Sequence, residues 1–179
     1  FKEKNRDVAF VDTPVLFKEY TTSSVIVMEY IDGYAIDDKE HLLEDGYDMN
    51  EIGSKYVDNF IKQVMDDGFF HADPHPGNVR IRDGKIVWID MGMMGRLTER
   101  DREQIAKAVE GVALNDIGMI QDAVLALGEF RGEPDPSQLY KDIRGLMAKY
   151  GTADMGNIDV AEVLQDLMDV MRENKITMP

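Results

Sequence analysis

Short apolar runs open the chain. Val8-Ala9-Phe10-Val11 is stopped by Asp12-Thr13-Pro14, and Val15 to Tyr20 predicts a second extended segment. Val25-Ile26-Val27-Met28 is wholly apolar and rich in β-branched side chains, the pattern of a buried strand, and Asp32-Gly33 ends it. Residues 37–48 predict irregular or weakly helical chain. Their Asp37, Asp38, Glu40, Glu44, Asp45 and Asp48 read as a solvated face. The period then changes from two to nearly four. Asn50 is expected to cap a helix running to about Asp67, with Ile52, Tyr56, Phe60, Ile61 and Val64 at helical spacing and Gly68 as its stop.

A proline-rich stretch, His71 to Asn78, leads into a hairpin. Val79-Arg80-Ile81 and Ile86-Val87-Trp88-Ile89 flank Arg82-Asp83-Gly84-Lys85, and Asp-Gly between alternating apolar runs is a strong local turn signal. From Thr98 onward the pattern is helical. Thr98 with Asp101 resembles a capping box, and Ile105, Val109 and Val112 mark one face. Asp116 starts the next helix, to about Leu127. Pro134-Asp135-Pro136-Ser137 turns into a helix near 137–150. A last helix, about 158–173, carries Val160, Val163, Leu164, Leu167 and Met171 on one stripe. Its polar side holds Asp159, Glu162, Asp166, Asp169 and Glu173, which an anionic lipid surface would repel, so core packing is the plainer reading.

Composition narrows the classes. With 179 residues, 44% of them hydrophobic, the chain can bury a core, and it is too apolar for disorder. A net charge of −15 with no local basic patch excludes nucleic acid as a partner. The absence of Cys removes disulfides, thiolate metal sites and a Cys nucleophile together. No apolar run approaches the ~18 residues a bilayer span needs. The chain opens on Phe1 rather than Met, which suggests a piece of a longer parent.

The chemistry concentrates in Phe69-Phe70-His71-Ala72-Asp73-Pro74-His75-Pro76-Gly77-Asn78 and in Ile89-Asp90-Met91-Gly92. Pro74, Pro76 and Gly77 forbid a helix and make a rigid loop. The hairpin that follows can return Asp90 beside Asn78, with Asp73 nearby. Such a trio suits magnesium phosphate chemistry. Mg²⁺ takes oxygen ligands and prefers one or two side chains plus phosphate oxygens. Phosphoryl transfer needs positioning, charge neutralisation and one carboxylate to orient the acceptor. Asn78 and Asp90 suit the metal, and Asp73 the orienting role.

His71-x-Asp73 through Asn78, followed by Asp90-x-Gly92, resembles the catalytic and metal loops of the protein-kinase-like fold. Met28-Glu29-Tyr30-Ile31-Asp32-Gly33 looks like its gatekeeper and hinge. The fuller strings, His71 to Asn78 and Asp90-Met91-Gly92-Met93-Met94-Gly95-Arg96-Leu97, resemble the UbiB-like family of atypical kinases, linked to ubiquinone and other prenyl-lipid metabolism. The resemblance covers residues 14–97. It implies that Asp73 is the catalytic Asp, that Asn78 and Asp90 bind metal, that Met28 is the gatekeeper and that backbone groups of Glu29 and Ile31 bind adenine. It implies ATP and Mg as cofactors and a mainly structural His71.

Two positions depart from the kinase pattern. Met91 stands where the metal loop normally carries Phe, and Arg80 where kinases usually place an apolar residue beneath adenine. Lys18 reads as an ordinary strand residue rather than the phosphate-pairing Lys, and the phosphate loop and helix Glu are not found. The expected fold is therefore α+β and mostly helical. It is a kinase-like C-lobe with a strand remnant and hinge over 1–31, a core over 32–97 and a helical extension over 98–179.

The expected function is Mg-ATP-dependent phosphotransfer or ATP hydrolysis. Nucleotide is the expected partner, with a small-molecule or lipid acceptor in preference to a protein. The expected location is cytoplasmic, peripheral to a membrane at most in the longer protein and only through parts outside this chain. Two rival readings are a non-catalytic nucleotide-sensing scaffold and a metal-dependent hydrolase built on His71, Asp73, His75 and Asp90.

Overall fold

In a computed structural model, which describes residues 1–130, 132–150, 166 and 169–177, the chain forms two compact units, Phe1–Leu97 and Thr98–Pro179. The first runs β1 (Val11–Asp12), β2 (Tyr34–Ala35), α1 (Lys39–Glu44), α2 (Met49–Lys62), β3 (Phe69–His71), β4 (Val79–Arg82), β5 (Lys85–Trp88) and β6 (Met94–Arg96).

The β4–β5 hairpin organises this unit. Asp83 and Gly84 both take positive φ, 52° and 72°, as a two-residue turn matched to strand twist requires. The register pairs Val79 with Trp88 and Ile81 with Ile86, so these four share one face. All four are at most 1% exposed. They pack with Val11, Leu42 and Ile52, while Tyr56 and Phe60 of α2 close over them. The sheet order is β1-β5-β4-β2, with β1 parallel to β5 and β2 antiparallel to β4. Gly33 lets the chain enter β2, because a Cβ there would stand 2.3 Å from the Ile81 carbonyl oxygen.

Several expectations change. Residues 1–31 do not form a strand remnant apart: β1 is built into the hairpin's own sheet, and Val11 belongs to its core. Val25–Met28 is not a buried strand. It pairs with Val15–Phe17 through a bridge between Leu16 and Met28 and bonds from Phe17 N–H to the Val27 carbonyl and from Glu29 N–H to the Val15 carbonyl. Val25 is 55% and Ile26 69% exposed. A two-armed ribbon has apolar residues on both faces, and no third strand among the described residues covers them. Lys18–Tyr20 is a 3-10 turn rather than extended chain. The long helix is capped by Asp48, whose carboxylate accepts from Asn50 N–H, and not by Asn50. It ends in a π-helical turn, Gln63–Asp67, before Gly68 at φ 56°.

The second unit runs α3 (Glu99–Leu114), α4 (Ile117–Leu127), β7 (Glu129–Phe130), α5 (Pro136–Tyr150) and β8 (Ile176–Thr177). Thr98 and Asp101 form a reciprocal capping box, and Asp116 caps α4. Its core joins Ile120, Leu139, Ile143 and Ile176. The face expected of α3 is not buried: Val109 and Val112 are exposed, and Gly111 is the buried position, pressed against Ile120 of α4. Most of the helix expected over 158–173, with Val160, Val163, Leu164 and Leu167, lies outside the described residues. No helix among the described residues is long and apolar enough to cross a membrane.

Candidate functional site

The site begins in α2. Asn59 and Gln63 sit one helical turn apart on the buried stripe that carries Ile52 and Tyr56, and both are essentially inaccessible. Two amides in such a place must be hydrogen-bonded. Asn59 Nδ2 donates to Asn5 Oδ1 at 2.7 Å, and Asn59 Oδ1 accepts from Gln63 Nε2 and Trp88 Nε1 at 2.8 and 3.0 Å. Gln63 Oε1 then accepts from the His71 backbone N–H at 2.9 Å. The π turn places Gln63 on the loop side of the helix, the kind of local unwinding frequent at functional sites.

His71 carries the chain of bonds into the loop. Its ring, 1% exposed, stacks on Trp88 with centroids 5.0 Å apart. Nδ1 accepts from the Asp73 backbone N–H at 3.2 Å, and Nε2 faces the Asp90 backbone carbonyl. A carbonyl only accepts, so the proton is on Nε2 and the ring is the neutral Nε2–H tautomer. One imidazole therefore ties the start of the loop to the end of the hairpin. Tyr56 adds a second tie by donating to the Pro74 carbonyl.

Asn78 closes the loop. Its Nδ2 donates to the Asp73 carbonyl at 3.0 Å, which fixes the amide orientation and leaves Oδ1 outward. Its backbone carbonyl accepts from Ile89 N–H at 3.0 Å, so the ladder extends to the residue before Asp90. Asp90 is exposed. Its Oδ1 accepts from Gly92 N–H at 2.7 Å, and its other oxygen has no partner among the described residues. Asp73 is half-exposed, and one oxygen stands 3.5 Å from His75 Nε2. His75 Nδ1 meanwhile accepts from Gly77 N–H at 3.0 Å. Asp73, Asn78 and Asp90 are thus joined by direct bonds or through one His. Asn78 and Asp90 each present one uncommitted oxygen, which fits a hard cation that completes its shell with phosphate and water.

The hinge residues lie along the other arm. Met28 is 45% exposed, and Ile31 is buried. The Glu29 carbonyl and the Ile31 N–H make no hydrogen bond with any described residue. The Glu29 side chain, which the sequence reading left without a role, accepts from Arg82 at 2.7 Å and from Val15 N–H at 3.1 Å. The Arg82 guanidinium first, and the Val15 amide next, hold the Glu29 carboxyl below its usual value. This pair pins the hinge to β4, the strand that Asn78 opens.

A transition-metal centre on His71, Asp73, His75 and Asp90 does not assemble, because both His71 nitrogens are committed inside the protein. No group of three or more His, Cys, Asp or Glu side chains among the described residues is placed to hold a metal. A cavity of 520 Å³ at Lys2, Asn5, Arg6, Asp12 and Thr13 contains none of the motif residues.

Asn5, Asn59 and Gln63 were missed by the sequence reading. The available signal was two amides on an apolar helical stripe.

Residues 1–124 match the ABC1 atypical kinase-like domain. A Clostridium pasteurianum protein named for the hydrogenase 1 5′ region is 37% identical over 179 residues, which is 100% of this chain and 34% of that protein. Arabidopsis thaliana Protein ACTIVITY OF BC1 COMPLEX KINASE 8, chloroplastic, is 35% identical over 131 residues, 72% of this chain and 17% of that one. Its relative, kinase 1 of the same series, is 30% identical over 140 residues, 78% and 20% respectively. The chain therefore spans about a third or less of the length of these relatives. The UbiB-like resemblance and the ABC1 match name one family, and the fold is protein-kinase-like.

Proposed function

We propose that this chain, which belongs to the ABC1 atypical kinase-like family, provides the Mg-ATP-handling half of a phosphotransferase or ATPase. The observation that carries the reading is the loop closure. Asn78 spends its Nδ2 on the Asp73 carbonyl, and His71 braces the Asp90 backbone, so two oxygens of different charge are left beside the Asp73 carboxylate. Bound Mg-ATP supplies the transferable phosphoryl group and the neutralising charge. Asn78 and Asp90 hold the cation, and a neutral amide beside a carboxylate keeps the site open to an anionic nucleotide. Asp73 orients the acceptor hydroxyl or water and takes its proton. The Glu29 carbonyl and Ile31 N–H meet the edge of the base, with Met28 behind it.

The acceptor is a small molecule or lipid rather than a protein. The setting is prenyl-lipid metabolism such as that of ubiquinone, a reading that rests on the family resemblance. The location is cytoplasmic, with any membrane contact made by parts outside this chain.

The test is ATP turnover by the longer parent protein. Asp90→Asn is expected to abolish turnover and Mg-dependent nucleotide binding, whereas full ATPase activity in that variant overturns the assignment. Asp73→Asn separates chemistry from signalling: loss of turnover with retained binding supports an enzyme. An unchanged parent function in that variant, lost instead on hinge mutation, supports a nucleotide-sensing scaffold.

A further inference from the structure

On β4 the burial alternates: Val79 and Ile81 face the core, and Arg80 and Arg82 face the other side. Asn78 continues the ladder through Ile89, so alternation sets Asn78, Arg80 and Arg82 in one row, about 6.7 Å apart per step. The two ends of the row are spent. Asn78 closes the loop at the metal end, and Arg82 holds Glu29 of the hinge at 2.7 Å. Arg80 between them is half-buried and makes no hydrogen bond or ion pair with any described residue. Its cross-strand neighbours on that face are Ala35 and Val87, one small and one fully buried, and neither offers a charge.

A nucleotide that reaches from the hinge to the metal must cross this row with its base or sugar over the middle position. A half-buried cation left without an anion is costly unless something else satisfies it. A guanidinium is planar, weakly hydrated and stacks on π faces, which an ammonium does less well.

We propose that Arg80 is a specificity-determining residue of the nucleotide site, whose guanidinium stacks beneath a purine base in the place where an apolar side chain would otherwise lie. This rests on the nucleotide reading above and deepens it. Purine nucleotides are favoured over pyrimidine nucleotides through the area of the π face, and the hinge groups read only the edge.

The experiment is ligand-observed NMR titration of the chain with ATP, adenosine and inorganic tripolyphosphate, each with Mg²⁺, for wild type, Arg80→Lys and Arg80→Ala. Unfolding followed by Trp88 fluorescence checks that each variant is folded. Both variants are expected to weaken ATP and adenosine by about 5- to 30-fold, the range for a partly desolvated cation–π contact, and to leave tripolyphosphate unmoved. Full ATP affinity in Arg80→Lys, or a loss for tripolyphosphate equal to that for ATP, makes Arg80 a phosphate-facing charge and overturns the stacking role. ATP binding that Asp90→Asn removes but neither Arg80 variant moves overturns this inference alone. A wild-type chain that binds no Mg-ATP overturns both this inference and the site reading beneath it.

Discussion

Asn78 Nδ2 donates to the backbone carbonyl of Asp73 at 3.0 Å, so the residue that opens the hairpin also sets the far end of the proline-stiffened loop. The bond does two jobs. It aims Asn78 Oδ1 away from the loop, and it holds Asp73 at a fixed distance from the metal-binding end.

Asn78→Asp tests the first job. The substitution removes the donor and sets a carboxylate against a carbonyl at a position only 9% exposed. The expected cost is about 1–3 kcal/mol of stability in urea unfolding. The chain's one Trp is Trp88, so its fluorescence reports on the first unit alone. No loss of stability would show that the loop is held by other bonds.

Gln63→Leu tests the relay behind the loop. Leucine fills much of the same space but leaves the His71 N–H without an acceptor in a buried place. A loss of about 1–3 kcal/mol is expected, with faster amide exchange at His71 and Asp73. Stability lost without any change in exchange at those two amides would separate the relay from the site.

Glu29 and Arg82 set a pH dependence. The Arg82 hydrogen bond holds the Glu29 carboxyl below its ordinary value of 4.5, so the folded pKa is the lower one. The contact then stabilises the hinge fully above about 4.5 and fades as the pH falls through the folded value. The gap in stability between wild type and Glu29→Gln should shrink below that pH. A gap that stays constant into acid would show that the pair does not hold the hinge.

Gly33→Ala tests the hinge exit. The added Cβ would stand 2.3 Å from the Ile81 carbonyl oxygen and 2.9 Å from its carbon, atoms fixed in the sheet ladder. The backbone must shift, at an expected cost of about 1–3 kcal/mol. Weakened protection of the β2–β4 amides in hydrogen exchange should accompany it, and wild-type stability with unaltered exchange would contradict the packing.

The sequence by itself determined what depends on neighbours along the chain. The Asp83-Gly84 turn, the Thr98–Asp101 box, the Asp116 cap and the rigid loop between Pro74 and Asn78 all follow from backbone preferences a few residues wide, and each is present in the structure. The order of the motif residues pointed to the family for the same reason, since the order is written in the chain.

Only the tertiary structure decided what depends on partners far apart in sequence. Asn5, Asn59 and Gln63 become a bonded relay because packing desolvates them together and leaves their amides no water to bond. Val25–Met28 has the composition of a buried strand yet lies exposed, because burial requires a covering layer that composition cannot supply. Arg82 and Arg80 read alike in sequence. One meets Glu29 across 53 positions and the other meets no anion among the described residues, a difference set by where the hinge crosses the sheet.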